Sequence, residues 1–537
     1  MIAAATASAR ALAPLLALAL AACGGKPHTA APRPAAPALF ASIPADTPFV
    51  LASFEAMPLE VLAMYRDLVG PEIRSSLERA SGGGAWADRL LPVLLEELDG
   101  KWNVAGFESL GLSATPRFAI YGLGLVPVLR LEIRDGRVLL ATIQRIAKRA
   151  GLPLPPPEAR EGRTFWWIDD SEHPALLAIT GDQLALAIGP RGALDAALPH
   201  VLGLEKPARS MADGAELAAA RQKHRLGGQA VGIADTRRLL TNILAAGRPS
   251  PACAAEIDRL AARAPRLVAG YGVTPAQHDI DMVLEVAPDL AGELRSLRVD
   301  LPGYAQALAD KPLLMVAAGV DLPRGQALLR AAVEATQRAA AACDATAFRA
   351  RYDEAAALFA EPLPPPLAQL RGGLLNVLSA SYDDDDALPS RLEAFAVVSS
   401  PAASSLFALG RAVIADAVPI DFEADGKLHT LPLDRLQLAL PYEIAGGASE
   451  RAIFLAAGKQ GRARLERALG APPDRAPLFI TDTDYGRFSE LSARRGGERA
   501  SVNAINAQLY GRMRMALDVS DRGLELRTAV ETKPRAR

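Results

Sequence analysis

Cys23 is the residue whose surroundings most directly specify a chemistry. It follows Leu20-Ala21-Ala22 and precedes Gly24-Gly25, and upstream lie one positive charge, Arg10, and an apolar run from Ala11 to Leu20. A charged start, an apolar middle and a small-residue end are the three parts of a secretory signal, which is cleaved rather than folded. Ending on Leu-Ala-Ala-Cys, this one matches a lipobox. Cleavage between Ala22 and Cys23, a diacylglycerol on the Cys23 thiol and a third chain on the freed amine are therefore expected. One acyl chain holds a bilayer marginally, whereas two or three anchor stably, so the protein needs no transmembrane helix. Charge, Pro or Gly interrupts every later apolar stretch well before the roughly 18 residues of a span. Gly24, where Asp would favour retention in the inner membrane, points to the outer membrane and the periplasm.

The other residues able to do chemistry are few and dispersed. Cys253 and Cys343 form an even pair of thiols in an oxidising compartment, and a disulfide between them is expected. Closing so long a loop contributes roughly 4 kcal/mol in the chain-entropy model. Asp383, Asp384, Asp385 and Asp386 run consecutively after Tyr382. Calcium takes such oxygens, but spaced around a loop with a turn Gly, so four adjacent Asp are weak metal candidates and read as a solvated hairpin tip. Asp482 and Asp484, before Gly486, are weaker still. The six histidines, His28, His173, His200, His224, His278 and His429, are far apart, with His278 and His429 on expected strands. They offer no zinc-ligand spacing. No nucleophile elbow surrounds any Ser. Gly122-Leu123-Gly124 leads into a strand instead of a helix, lacks the helix N-terminus that would hold a pyrophosphate, and reads as a turn. No catalytic residue, metal or cofactor is expected.

The elements that would position these residues follow from composition and period. The chain has 537 residues, half of them hydrophobic, and a formal net charge of −2. That balance, with no basic cluster, excludes nucleic acid as a partner. Residues 1–22 form the signal and 23–43 the lipidated end and a Pro/Ala-rich tether. Some 500 residues remain, too many for one core, and are assigned to two halves, 44–305 and 306–537.

Three recurrent blocks support the halves. A buried strand entering a helix occurs at Pro48–Phe54, Ala230–Thr236, Leu313–Gly319 and Leu478–Thr483. A hairpin starts at Pro116 and at Pro265 and recurs over 374–398 and 508–531, where Leu524, Leu526, Thr528 and Val530 alternate with polar positions as in a strand with one buried face. A second hairpin followed by a helix occurs at Leu176–Leu202 and Tyr442–Leu469. Written as letters, the order ABC-AB appears twice, as an ancient duplication would leave it. Consecutive hairpins imply an α+β fold of mainly antiparallel sheets with helices on one face. The prolines at 153–157 and 362–366 read as connectors, and Trp86–Leu98 as a helix buried along one broad face.

The lipobox, the segment Ile43-Pro44-Ala45-Asp46-Thr47-Pro48-Phe49-Val50, Tyr121-Gly122 and the strand Pro127–Ile133 together resemble a group of uncharacterised lipoproteins of Gram-negative bacteria, along the length of the mature chain. That resemblance implies the anchor and the fold, and it carries over no functional residue. A non-enzymatic lipoprotein, held to the membrane by its lipid and binding an envelope partner, whether protein, peptide or lipid, is the leading expectation. An envelope hydrolase with a dispersed site and an assembly factor of an outer-membrane complex are the alternatives.

Overall fold

The computed structural model describes residues 38–533, except 57, 60–84, 153, 169–173, 247, 384–387, 415–419, 433–439 and 495–499. The chain divides into two compact units that meet in sequence at Val283 and Leu284.

The first unit opens with β1 (Phe49–Ser53), helices α1 (Ala85–Leu98) and α2 (Val104–Ser109), and the hairpin β2 (Phe118–Leu123) and β3 (Val126–Glu132). Next come α3 (Gly136–Arg149), β4 (Glu158–Arg160), β5 (Arg163–Ile168), β6 (Ala175–Thr180), β7 (Gln183–Ile188), α4 (Arg191–Val201) and α5 (Glu216–Lys223). It ends with β8 (Ala230–Asp235), α6 (Thr236–Ala245), α7 (Pro251–Arg263) and the hairpin β9 (Arg266–Val273) and β10 (Gln277–Glu285). From edge to edge its sheet reads β4-β5-β6-β7-β3-β2-β1-β8-β9-β10.

The second unit contains α8 (Pro288–Ser296), β11 (Asp300–Leu301), α9 (Tyr304–Ala309), β12 (Leu314–Ala318), α10 (Leu322–Ala342), α11 (Thr346–Ala360) and α12 (Pro365–Ala368). There follow β13 (Gly372–Ser381), β14 (Arg391–Ser399), α13 (Ala403–Ile414), β15 (His429–Thr430), β16 (Ile444–Ala448), β17 (Ala452–Ala457) and α14 (Gly458–Gly470). The last elements are β18 (Asp474–Arg475), β19 (Phe479–Asp484), α15 (Tyr485–Arg494), α16 (Ala500–Leu509), β20 (Tyr510–Ser520) and β21 (Gly523–Thr532). Its main sheet reads β15-β16-β17-β14-β13-β12-β19-β20-β21, antiparallel throughout.

These two orders are one topology. Val50 lies across from Tyr121 and Ile233, and Met315 lies across from Asn376 and Asp482. Setting Val50 against Met315 and following the ladders outward brings Tyr121 to Asn376, Val128 to Phe395 and Ala187 to Ala456. At the last step three of four residues coincide as well, Leu186-Ala187-Ile188-Gly189 against Leu455-Ala456-Ala457-Gly458. On the other side Ile233 maps to Asp482 and Asp235 to Asp484. Each of those two aspartates caps the next helix, accepting from Arg238 N at 2.9 Å and Arg487 N at 3.0 Å. The repeated α+β architecture is therefore present in both pairing order and register.

Three details differ from the sequence expectation. Residues 38–43, assigned to the end of the tether, belong to the folded body: Ala38–Ser42 form a 3-10 turn, and Leu39, Phe40 and Ile43 are buried in the first core. The units divide about twenty residues before 305, because β11 pairs with β18 and Leu294 of α8 packs against Leu478 and Val519. Helices cover both faces of the first sheet. Ala185 and Ala187 of β7 face α4 and α5, whereas Leu184 and Leu186 face Leu140 and Ile143 of α3. A strand apolar at every position has no face to leave in water, which explains the second layer.

Candidate binding cleft

A cleft of about 730 Å³ opens in the first unit between the loop entering β1, the β2–β3 turn, α4, the start of α5, and α6. Its frame rests on Thr47, which is buried. Gly122 N donates to Thr47 Oγ1 at 3.0 Å, and the hydroxyl lies 2.7 Å from Gly122 O and 2.8 Å from Phe49 O, so it joins the loop to the turn. Gly122 is required here, since a Cβ would lie 2.7 Å from both Gly124 O and a Phe49 ring carbon. Ala45 N donates to Arg209 O and Met211 N to Ile43 O, stitching in the second loop. That loop is held in turn by Asp213, whose carboxylate the backbone N–H and hydroxyl of Ser210 keep below its ordinary range.

The opposite wall is α4. It presents Ala193, Ala196 and Ala197, whose short side chains leave the space, and His200 near its C-terminal end. Behind this wall lies Arg130, only 2% exposed. Its Nε donates to Tyr121 Oη at 3.0 Å, and its Nη2 donates to the carbonyls of His200 and Val201 at 2.9 and 3.0 Å. A buried cation without a carboxylate is costly, and here the negative end of a helix and two neutral side-chain acceptors, Tyr121 Oη and Gln183 Oε1, take that place.

The polar groups facing the cleft are few. Arg238, on the first turn of α6, donates Nη1 to Ala45 O at 3.1 Å and Thr47 O at 3.2 Å. Asn242, one turn on, donates its amide nitrogen to Arg238 O at 2.8 Å. Asp46, Arg209 and Glu216 stand exposed at the mouth. His200 Nδ1 lies 3.2 Å from Glu205 O. This assembly offers hydrogen-bond donors and acceptors on a prebuilt frame.

In the second unit Asp310 occupies the position of Ala45. When the buried Leu465 and Ala468 of α14 are matched to Leu194 and Ala197 of α4, Arg464 takes the place of Ala193. Arg464 and the buried Asp310 form an ion pair, joined by Gln306 Nε2 at 3.2 Å from the same carboxylate oxygen. Two positions that line the cleft in one unit are thus bridged in the other. An apolar pocket of about 460 Å³ in the second unit lies elsewhere, between Leu314, Val377 and Leu392 of the sheet and Phe488 and Leu491 of α15.

Cys253, buried in α7, and Cys343, the cap residue of α10, are disulfide-bonded. Ala22, Cys23, His28, His173, Asp384, Asp385 and Asp386 lie outside the described residues. Asp383 accepts from Ser390 Oγ at 3.0 Å. Asp482 is fully buried and paired with Arg512 and Arg514, and Asp484 is a helix cap. Among the described residues no group of three His, Cys, Asp or Glu could hold a metal, and no helix is long and apolar enough to cross a membrane. His278 and His429 lie on strands as expected, and His200 is the histidine that reaches the cleft. Arg130 and Arg238 were missed. Arg130 had a signal, a charge inside Val-Leu-Arg-Leu, whereas Arg238 had none beyond its place after an N-cap.

No protein-family model matches the chain, and neither does any curated protein or solved structure.

Proposed function

We propose that this chain is a lipid-anchored, non-enzymatic binding protein of the bacterial envelope, and that the cleft of the first unit takes a polar segment of an envelope partner. The supporting observation is a cavity of about 730 Å³ walled by polar groups with donors and acceptors to spare, whose counterpart in the second unit is bridged by an ion pair at the positions of Ala45 and Ala193. Small-molecule and peptide sites are concave and mostly preformed, with a few convergent polar groups, as this one is. Polar walls favour a protein or peptide segment over a lipid chain. The anchor rests on the Leu20–Cys23 motif and places the body on the periplasmic side of the outer membrane, with the residues before Ala38 as its tether.

The test is recovery of the chain from its native envelope with and without a blocked cleft. Ala196→Trp fills the cavity from an exposed helix position and leaves the core intact. Partners that accompany the wild type should be absent from the variant. Equal recovery with both would contradict the assignment of the cleft.

A further inference from the structure

We infer that the cleft recognises a peptide carboxylate, with Arg238 as the receiving group; this deepens the function proposed above and rests on it. The guanidinium is half used. Its Nη1 carries two N–H groups, and both have acceptors, the carbonyls of Ala45 and Thr47. Those bonds fix the plane of the group and leave Nε–H and the two Nη2–H donors with no acceptor among the described residues. Nε–H and one Nη2–H lie side by side on one edge, the spacing that two carboxylate oxygens match.

Charge selects the class further. Among the described residues no Asp or Glu pairs with Arg238, and the nearby Asp235 carboxylate is engaged with the backbone N–H of Arg238. Asp46 and Glu216, which also line the cleft, make no ion pair among the described residues. Arg209, also exposed at the mouth, offsets one of these two carboxylates; the negative charge that remains disfavours a dianion such as phosphate more than a single carboxylate, particularly one whose chain carries a cationic group further out. Asn242 adds the amide contact. Its nitrogen is committed to Arg238 O, so its oxygen, beside Gly124, is left to accept a peptide N–H.

A peptide carboxylate has two sources, the chain terminus and an Asp or Glu side chain. Fluorescence anisotropy with the acyl-free chain separates them using three labelled hexapeptides that share their first five residues. One has a free C-terminus and no acidic residue, one is amidated, and one is amidated with Glu at the last position. A charge-assisted bidentate contact should bind a free acid about thirtyfold more tightly than the plain amide. Whichever acid binds names the source.

Arg238→Gln should abolish that preference. Because Arg238 also supports the loop, Asn242→Asp gives an independent reading: it supplies a carboxylate beside the fork and should weaken the acid far more than the amide. Acid and amide binding equally, with Ala196→Trp removing both, would overturn the carboxylate inference and leave the cleft as a binding site. No binding of any of the three peptides would also overturn it, and recovery from the native envelope then decides the wider proposal separately.

Discussion

Arg130 and Glu97 are opposite solutions to one problem, a charge taken out of water. Arg130 is neutralised by carbonyls at the end of α4, so Arg130→Met should cost about 3 kcal/mol of unfolding free energy, because two helix-end carbonyls and the Tyr121 hydroxyl lose their donor together. Tyr121→Phe, which removes one acceptor, should cost about 1 kcal/mol. Denaturant titration of both variants checks the ranking, and equal losses would mean that the network does not act as a unit. Glu97 instead has cations around it: a hydrogen bond from Arg145, opposed by burial and aided by Lys101, holds its carboxyl at about 2 against an ordinary 4.5. A carboxyl whose folded value is depressed adds stability in full above its unfolded value and loses it as the pH falls through the folded one. Glu97→Gln should therefore destabilise by about 2 kcal/mol at neutral pH and by almost nothing near pH 2. A loss that does not change with pH would show that the ion pairs are inert. At this scale the disulfide was legible, since reading Cys23 of the three cysteines as lipidated leaves two, which admit one pairing. Arg238 was not, because its role depends on which carbonyls the fold brings to it.

Strands were the most readable elements. The four buried strands expected from sequence became β1, β8, β12 and β19, an adjacent interior pair in each sheet, because a short apolar run bounded by turns and entering a helix has few other places to go. The second helical layer was misread. A period of two was expected to leave one face in water, but β6 buries Leu176, Leu177 and Ala178 in succession, and alternation alone does not reveal such a strand. The cleft was also hidden, since its walls are a turn, a loop and a row of alanines whose separation in sequence exceeds any local pattern. Equivalence between the units is testable through their caps. Asp235→Ala and Asp484→Ala each remove one side-chain acceptor at matched positions and should cost about 1 kcal/mol apiece in thermal or denaturant unfolding. Clearly unequal costs would mean that the shared register does not extend to shared energetics.

For the whole molecule, two units of one topology hold an open cleft in the first and, at the matched positions, an ion pair in the second. Joining Cys253 to Cys343 closes a loop of about 90 residues, so replacing both by Ser should lower stability by about 4 kcal/mol on the chain-entropy model, with the measured value between zero and that limit. Cys23→Ser should move the protein from the membrane to the soluble fraction of the envelope, and retention in the membrane would remove the lipid anchor from the proposal. Binding at the first cleft is the central claim, and the most direct measurement is site-specific photo-crosslinking in intact cells from matched positions, Ala196 on α4 and Arg467 on α14. Discrete adducts from Ala196 and none from Arg467 are the expected result. Adducts from Arg467 alone, equal adducts from both, or none from either would contradict it.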